Sequence, residues 1–354
     1  MQIIVPKDEK IVIAMSGGVD SSAAAYILKE QGYDVIGMML KIWDDLSKCC
    51  SLEDIADARD VAMKLNIPFY LKKYQPLFEK EIVTPFVQSY LRGETPIPCA
   101  FCNSKVKFPV IIEEGLKMGA KYLATGHYAK IKKINGRYSI FKGDDNKKDQ
   151  TYFLFQLTQD HLKHIIFPVG EMDKAEVRKI AENIGLSMAK KSESQEVCFV
   201  NDDYKGFIEN RVIPSRLKTG KIVTTKGMVV GVHKGIHRYT IGQRKGLGVS
   251  WKHPLYVVDI DAENNNIIVG ANEELLTDSV NAHSLNWLNK TPLEGEIVYA
   301  KVRYRQNSEK GIVKKITDNE IIIDFEKPER AIAKGQALVL YSPEDELLGG
   351  GIIK

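Results

Sequence analysis

Cysteine is scarce in this chain of 354 residues, five in all, at positions 49, 50, 99, 102 and 198. So few in so long a chain exclude a structural disulfide framework. Also missing is any apolar run near the roughly 18 to 20 residues that cross a bilayer. The N-terminus, Met1 to Lys10, has no apolar stretch behind a basic start. These absences predict a cytoplasmic protein with no membrane partner. Net charge is small as well, +4, so the total implies no strong field for polyanions. The basic residues are local instead: Lys130-Ile131-Lys132-Lys133, Lys190-Lys191, Arg211 to Lys218 and Arg238 to Lys245. What is present is ordinary, 44% hydrophobic and 27% charged residues, enough for real cores. The length calls for two or three of them.

The first two hundred residues alternate strand and helix patterns. Ile11 to Met15 reads as a buried strand, Ser21 to Gln31 as a helix and Val35 to Leu40 as a strand. Ser51 to Asp54 has the spacing of a capping box and opens a helix to about Leu65. Pro68 to Leu71 reads as a strand, Pro76 to Leu91 and Lys105 to Met118 as helices, and Tyr122 to Thr125 as a strand ending at Gly126. This alternation predicts an α/β domain over 1–203 with a mostly parallel sheet, whose ligands sit at the carboxyl ends of its strands. Beyond Tyr204 glycines punctuate short β-rich runs: Lys221 to Thr225, Met228 to Val232, Tyr256 to Ile260 and Ile267 to Val269. Alternating runs follow from Ile297 to Arg305, then at Gly311, Glu320, Ala337 and Leu347. They predict a small β-rich domain over 204–277 and a C-terminal β-barrel over 278–354.

The strand at Ile11 runs into Ser16-Gly17-Gly18-Val19-Asp20-Ser21-Ser22 and then a helix. Glycines let the backbone turn tightly against a ligand, and a helix start presents free N–H groups to phosphate. No lysine stands where a Walker loop needs one, which excludes that γ-phosphate cradle. The segment resembles the PP-loop of ATP pyrophosphatases, which cut ATP between the α and β phosphates. The resemblance implies ATP as cofactor and Asp20 beside a Mg²⁺ ion. Such cutting adenylates an oxygen, a step shared by ligases, amidotransferases and thiolases.

Cys99 and Cys102 lie in Thr95-Pro96-Ile97-Pro98-Cys99-Ala100-Phe101-Cys102-Asn103, just ahead of the expected helix at Lys105. A thiol near a helix start and lysines is biased toward the reactive thiolate. Together with Thr125-Gly126-His127-Tyr128, Lys148 to Leu154, Glu193 to Phe199, Tyr239 to Gly248 and Lys301 to Gln306, these segments are similar to those of the tRNA-specific 2-thiouridylase family over essentially the whole chain. The resemblance implies replacement of O2 of the wobble uridine by sulfur in tRNAs for Lys, Glu and Gln. It makes Cys102 the nucleophile and Cys198 the persulfide carrier, with a cysteine desulfurase or relay protein as sulfur donor. Ala14, Met15, Ser16, Gly17, Gly18, Val19, Asp20, Ser21, Leu40 and Gly126 match positions that touch ATP. His127, Lys148, Asp149, Gln150, Arg303, Tyr304 and Gln336 match positions that touch tRNA, and Ile97, Pro98 and Cys99 match the stretch facing a flipped-out base.

One position departs from the family pattern: Cys99 stands where an aspartate with a general acid or base role is usual. Three thiols, Cys99, Cys102 and Cys198, would suit a 4Fe-4S cluster with one iron left open, fed by free sulfide. Cluster chemistry therefore stands beside persulfide relay as an expectation. Cys49 and Cys50 follow the strand ending near Leu40 and read as incidental to the turn before Ser51, with sulfur acceptors near the site as the alternative. The rival reading is another PP-loop adenylating ligase or amidotransferase, although no fused glutaminase is apparent.

Overall fold

The computed structural model describes residues 5–43, 51–185, 197–201 and 203–354. Cys49, Cys50 and the part of the Cys198 motif from Glu193 to Glu196 lie outside the described residues. Among the described residues no helix is long and apolar enough to cross a membrane.

The chain opens with β1 (Lys10–Ala14), α1 (Val19–Glu30), β2 (Asp34–Lys41), α2 (Leu52–Lys64) and β3 (Phe69–Lys73). Ile11, Val12 and Ile13 of β1 are all buried, as a central parallel strand covered on both faces requires. Ser51 caps α2 as its spacing predicts: its Oγ accepts from Asp54 N–H at 3.1 Å, and Asp54 Oδ2 accepts from Ser51 N–H at 3.2 Å. Next come α3 (Gln75–Phe78), α4 (Thr84–Leu91), α5 (Pro98–Cys102), α6 (Phe108–Lys117) and β4 (Ala120–Ala124). The sheet is parallel in the order β3-β2-β1-β4 with the short β7 (Ile165–Ile166) at its edge. Its winding reverses between β1 and β4, so the loops after those two strands meet at one crevice.

Both helices expected in this region are interrupted by π turns, at Glu79–Val83 and at Asn103–Lys107. Each π turn runs into a proline, Pro85 or Pro109. A proline lacks the N–H that would bond one turn back, and the wider turn absorbs the break. The second helix also starts earlier than the sequence suggests. Pro98 occupies its first position, where the fixed φ suits a helix start. Cys99 and Cys102 are therefore inside a continuous helical run from Pro98 to Lys117, and only Cys99 belongs to its opening.

A hairpin of β5 (Ala129–Ile134) and β6 (Arg137–Lys142) was not foreseen, although Asn135-Gly136 between them, both at positive φ, is a hairpin signal. It leaves the first domain: β6 pairs with β17 (Glu346–Ile353) through Phe141–Glu346 and Ile140–Leu347. After α7 (Gln159–Leu162), α8 (Lys174–Asn183) and α9 (Tyr204–Glu209), the middle sheet is ordered β10-β11-β8-β9. Its strands are β8 (Gly220–Thr224), β9 (Val229–His233), β10 (Tyr256–Asp261) and β11 (Asn266–Gly270). The last domain contains β12 (Leu276–Trp287), β13 (Ile297–Lys301), β14 (Glu309–Ile316), β15 (Glu320–Arg330) and β16 (Ala337–Tyr341) before β17. Pairing of β12 with both β15 and β17 closes a barrel of six strands.

The segment ahead of α5 is held from both sides. A Cβ on Gly93, at φ +74°, would stand 2.6 Å from Ile260 of β10. From the barrel, Lys334 C=O accepts from Thr95 N–H at 2.7 Å, and the Gln336 amide donates to the Thr95 and Pro96 carbonyls at 2.9 and 3.1 Å. Lys334 also pairs with Asp259 of β10 at 2.8 Å, tying the two later domains together. Gly335 has φ +86°, and a Cβ there would meet Glu94 Cβ at 2.9 Å. Gly335→Ala should therefore lower stability by roughly 1–2 kcal/mol in a denaturant titration, from the left-handed backbone and the contact combined. The same substitution at Gly136, equally left-handed but with nothing within 4 Å, should cost less.

Candidate active site

The loop after β1 is built by its own hydroxyls. Ser21 and Ser22 Oγ donate to Gly18 C=O at 3.1 and 2.9 Å, and Ser16 N–H donates to Ser21 Oγ at 3.2 Å. Gly17 has φ +72°, and a Cβ would collide with the Asp54 carbonyl of α2 at 2.4 Å. Glycine is thus required by both torsion and space. Val19 is buried in the core, so Gly17, Gly18 and Val19 shape the loop rather than line its cavity. The first turn of α1 has no side-chain cap, which leaves its N–H groups available to an anion.

A cavity of about 240 Å³ opens at this loop. Ala14, Met15, Ser16, Asp20 and Ser21 form one wall, with Met38, Met39, Leu40 and Ile42 from β2 and its end as the apolar wall. Lys107, Phe108 and Ile111 come from the long helix, and Leu123, Thr125, Gly126, His127 and Gln150 complete the lining. This is an apolar slot for a flat ring beside a polar, N–H-rich mouth. Gly126 packs against the loop itself: a Cβ would stand 2.6 Å from the Asp20 carbonyl carbon. Asp20 is not bare. Its Oδ1 accepts from Tyr128 OH at 2.8 Å, and Lys174 Nζ reaches its two oxygens at 2.7 and 2.9 Å. Lys174 and Tyr128 were not singled out by the sequence. Tyr128 at least adjoins Gly126-His127, whereas nothing in the sequence links Lys174 to a loop 154 positions away.

His127 is half-buried, 2.8 Å from Thr125 Oγ1 through its Nδ1. Burial, helped by Lys107, holds its pKa down to about 3. Its imidazole is therefore a neutral hydrogen-bonding group at working pH and not a cation for phosphate.

Cys102 is 4% exposed and Cys99 is exposed, although both ride on α5. Cys102 precedes the cavity-lining Lys107 by five residues of the same helical run, roughly 6–8 Å along the axis. Asn103, next to it, donates through Nδ2 to Phe153 C=O at 3.1 Å, which fixes the π turn against the Thr151–Phe153 turn. Cys198 is half-buried. The following Phe199 is packed edge-on against Phe78 and Phe86 at 5.5 and 5.1 Å, on the helical stretch that also packs against α5. Among the described residues no three His, Cys, Asp or Glu side chains are gathered closely enough to hold a metal ion. Cys99, Cys102 and Cys198 are not gathered into such a group among the described residues.

A model of the tRNA methyl transferase HUP domain matches residues 9–202, a PRC-barrel domain model of that family matches 205–271, and an aminomethyltransferase beta-barrel domain model matches 277–353. A protein named tRNA-specific 2-thiouridylase MnmA 1, from Clostridium botulinum, is 45% identical over 98% of this chain and 99% of its own. The chain belongs to the tRNA-specific 2-thiouridylase family. A second family member, from Clostridium acetobutylicum, is 45% identical over 98% of this chain and 100% of its own. A solved 4-thiouridine synthetase–RNA complex with bound ATP is similar at TM-score 0.36 and 16% identity, covering 58% of this chain and 50% of its own. That likeness is too slight to bear on function.

The positions that the 2-thiouridylase resemblance assigns to tRNA do not form one uniform surface. Asp149 is buried, and its carboxylate accepts from Thr151 N–H at 3.2 Å and Thr151 Oγ1 at 2.8 Å. Burial pushes its pKa up. These bonds brace the turn at Thr151. Gln150 lines the nucleotide cavity and accepts from Tyr128 N–H at 3.1 Å. Lys148 is half-buried just ahead of it. Arg303 and Tyr304 were expected on a barrel strand, but β13 ends at Lys301 and they occupy the turn after it. The Tyr304 ring packs tilted against Phe153 with centroids 4.5 Å apart, and Arg303 Nη2 is buried with no hydrogen-bond partner among the described residues. Gln336 is consumed by Thr95 and Pro96. Ile97 is buried and Pro98 starts α5.

Two outcomes follow for this family member. Gly126→Val should reduce ATP affinity at least roughly tenfold, measured by equilibrium dialysis, while the circular dichroism spectrum is kept. For His127, the unfolded imidazole binds a proton below its ordinary value of 6.5 that the folded one refuses down to about 3. Folding stability should therefore rise with pH across that window. The melting temperature of His127→Gln should depend less steeply on pH over the same range.

Proposed function

We propose that the chain is an ATP-dependent sulfurtransferase that replaces O2 of the wobble uridine with sulfur in tRNAs for Lys, Glu and Gln. The observation that carries this reading is the single helical run from Pro98 to Lys117, with Cys102 near one end and the cavity wall at Lys107, Phe108 and Ile111. A thiol and a slot of about 240 Å³ reached by one rigid element support sulfur chemistry beside nucleotide chemistry.

The phosphate loop supports attack by the uridine O2 on the α phosphate, with pyrophosphate leaving toward the N–H groups of α1. Asp20 and the serine hydroxyls would hold Mg²⁺, whose chemistry is to neutralise that leaving group. AMP is then a good leaving group at C2. Cys198, loaded as a persulfide by a cysteine desulfurase or relay protein, carries the incoming sulfur. Cys102 attacks the inner sulfur of that persulfide, a Cys102–Cys198 disulfide forms, and hydrosulfide is released to C2. AMP departs as the C=S bond forms, and an external dithiol reduces the disulfide for the next cycle. No step runs through a metal cluster. Cys99, exposed at the opening of the helix, takes the place of the acid or base that an aspartate usually supplies. Arg303 Nη2, buried without a hydrogen-bond partner among the described residues, and the aromatic ring of Tyr304 beside Phe153 suit a phosphate and a base of the tRNA.

With ATP, tRNA and a persulfide donor, the protein should form 2-thiouridine, AMP and pyrophosphate in equal amounts. Cys102→Ser and Cys198→Ser should abolish 2-thiouridine while tRNA-dependent pyrophosphate release persists. Cys99→Asp should keep activity and Cys99→Ala should lose it, read by nucleoside mass spectrometry. An adenylating ligase or amidotransferase would be indifferent to Cys102→Ser, and that result would overturn the proposal.

A further inference from the structure

Asp20 sits in a loop that is otherwise entirely an anion receptor. A bare carboxylate there would face the phosphates of any nucleotide that entered and repel them. Asp20 lines the cavity, whereas Lys174 does not, so the carboxylate stands between the ammonium and the ligand space. The pair is only partly open to water, with side-chain exposures of 12% for Lys174 and 28% for Asp20. Lys174 is aimed by its surroundings. It is the first residue of α8, whose Asp173 cap bonds Glu176 N–H at 2.8 Å, and its own N–H donates to Asp145 Oδ2 at 3.1 Å. α8 packs along α1, and the ammonium lies 5.7 Å from the centre of the Tyr128 ring. Tyr128 OH bonds the same Asp20 oxygen from the other side. Three elements from distant parts of the chain thus converge on one carboxylate that the phosphate-loop motif alone would leave bare.

The geometry points to Lys174 as a positioning residue for nucleotide binding. It holds Asp20 in place and cancels its charge while no divalent cation is present, so that a nucleotide polyanion enters without repulsion and a magnesium ion competes with Lys174 for the same oxygens. This rests on the ATP reading above but is distinct from it, since it concerns how the loop tolerates its own acid. Lys174 is not among the residues lining the cavity, so it acts through Asp20.

The test measures ATP affinity of the full-length protein by calorimetry, with excess Mg²⁺ and with EDTA. Lys174→Met should weaken metal-free ATP binding by roughly tenfold or more, the scale of a lost charge-assisted contact, and weaken Mg²⁺-ATP binding much less. Lys174→Arg should restore metal-free binding. Asp20→Asn should bind metal-free ATP at least as well as wild type, and adding Lys174→Met to it should cause little further loss. Equal weakening with and without Mg²⁺ in Lys174→Met, or no weakening in EDTA, would overturn the assignment. A wild-type protein that binds ATP under neither condition would overturn the nucleotide reading itself.

Discussion

The structure depends on one continuous helix. From Pro98 to Lys117 the chain runs without a break through α5, a π turn and α6, and the π turn allows the run to reach Pro109 without losing direction. A straight α-helix ending at the proline would separate the cysteines from the cavity. A loop between them would leave their spacing to chance. The wider turn keeps both on one element, and Asn103, bonded to the Phe153 carbonyl, holds the turn in register.

The rest of the molecule serves to hold that helix. The parallel sheet supplies its crevice, where β1 and β4 deliver the phosphate loop and Gly126. The two later domains grip the chain just ahead of it, through Ile260 against Gly93 and through Gln336 on Thr95 and Pro96. The β5–β6 hairpin stitches the first domain to the barrel along β17, and Tyr152 OH bonds the Ala337 carbonyl at 3.0 Å behind it. A barrel tied at so many points is a scaffold for the segment that carries Cys99 and Cys102.

Much of this was legible in the sequence because strong local signals carried it. Buried β1, the glycine loop, the Ser51 capping box and the β-rich C-terminal half all follow from periodicity, turn chemistry and capping. The start of α5 was missed because Pro96 and Pro98 together read as a break, while only tertiary contacts make Pro98 a helix start. Arg303 and Tyr304 were placed on a strand because alternation does not reveal where a strand ends. Lys174 was invisible, since an ion pair between residues so far apart leaves no local trace. The burial of Asp149 was likewise illegible in the polar run of Lys147 to Gln150. The differing exposure of Cys99 and Cys102 was not legible either, because it depends on which face of α5 packs inward.

The central claim is that sulfur reaches the base through the Cys102 and Cys198 thiols and not through a metal-bound sulfide. Peptide mapping of alkylated cysteines after a single turnover, without reductant, tests it most directly. The account predicts one Cys102–Cys198 disulfide for each 2-thiouridine formed, with Cys99 still open to alkylation. Stoichiometric 2-thiouridine with Cys102 and Cys198 both still alkylated would contradict it.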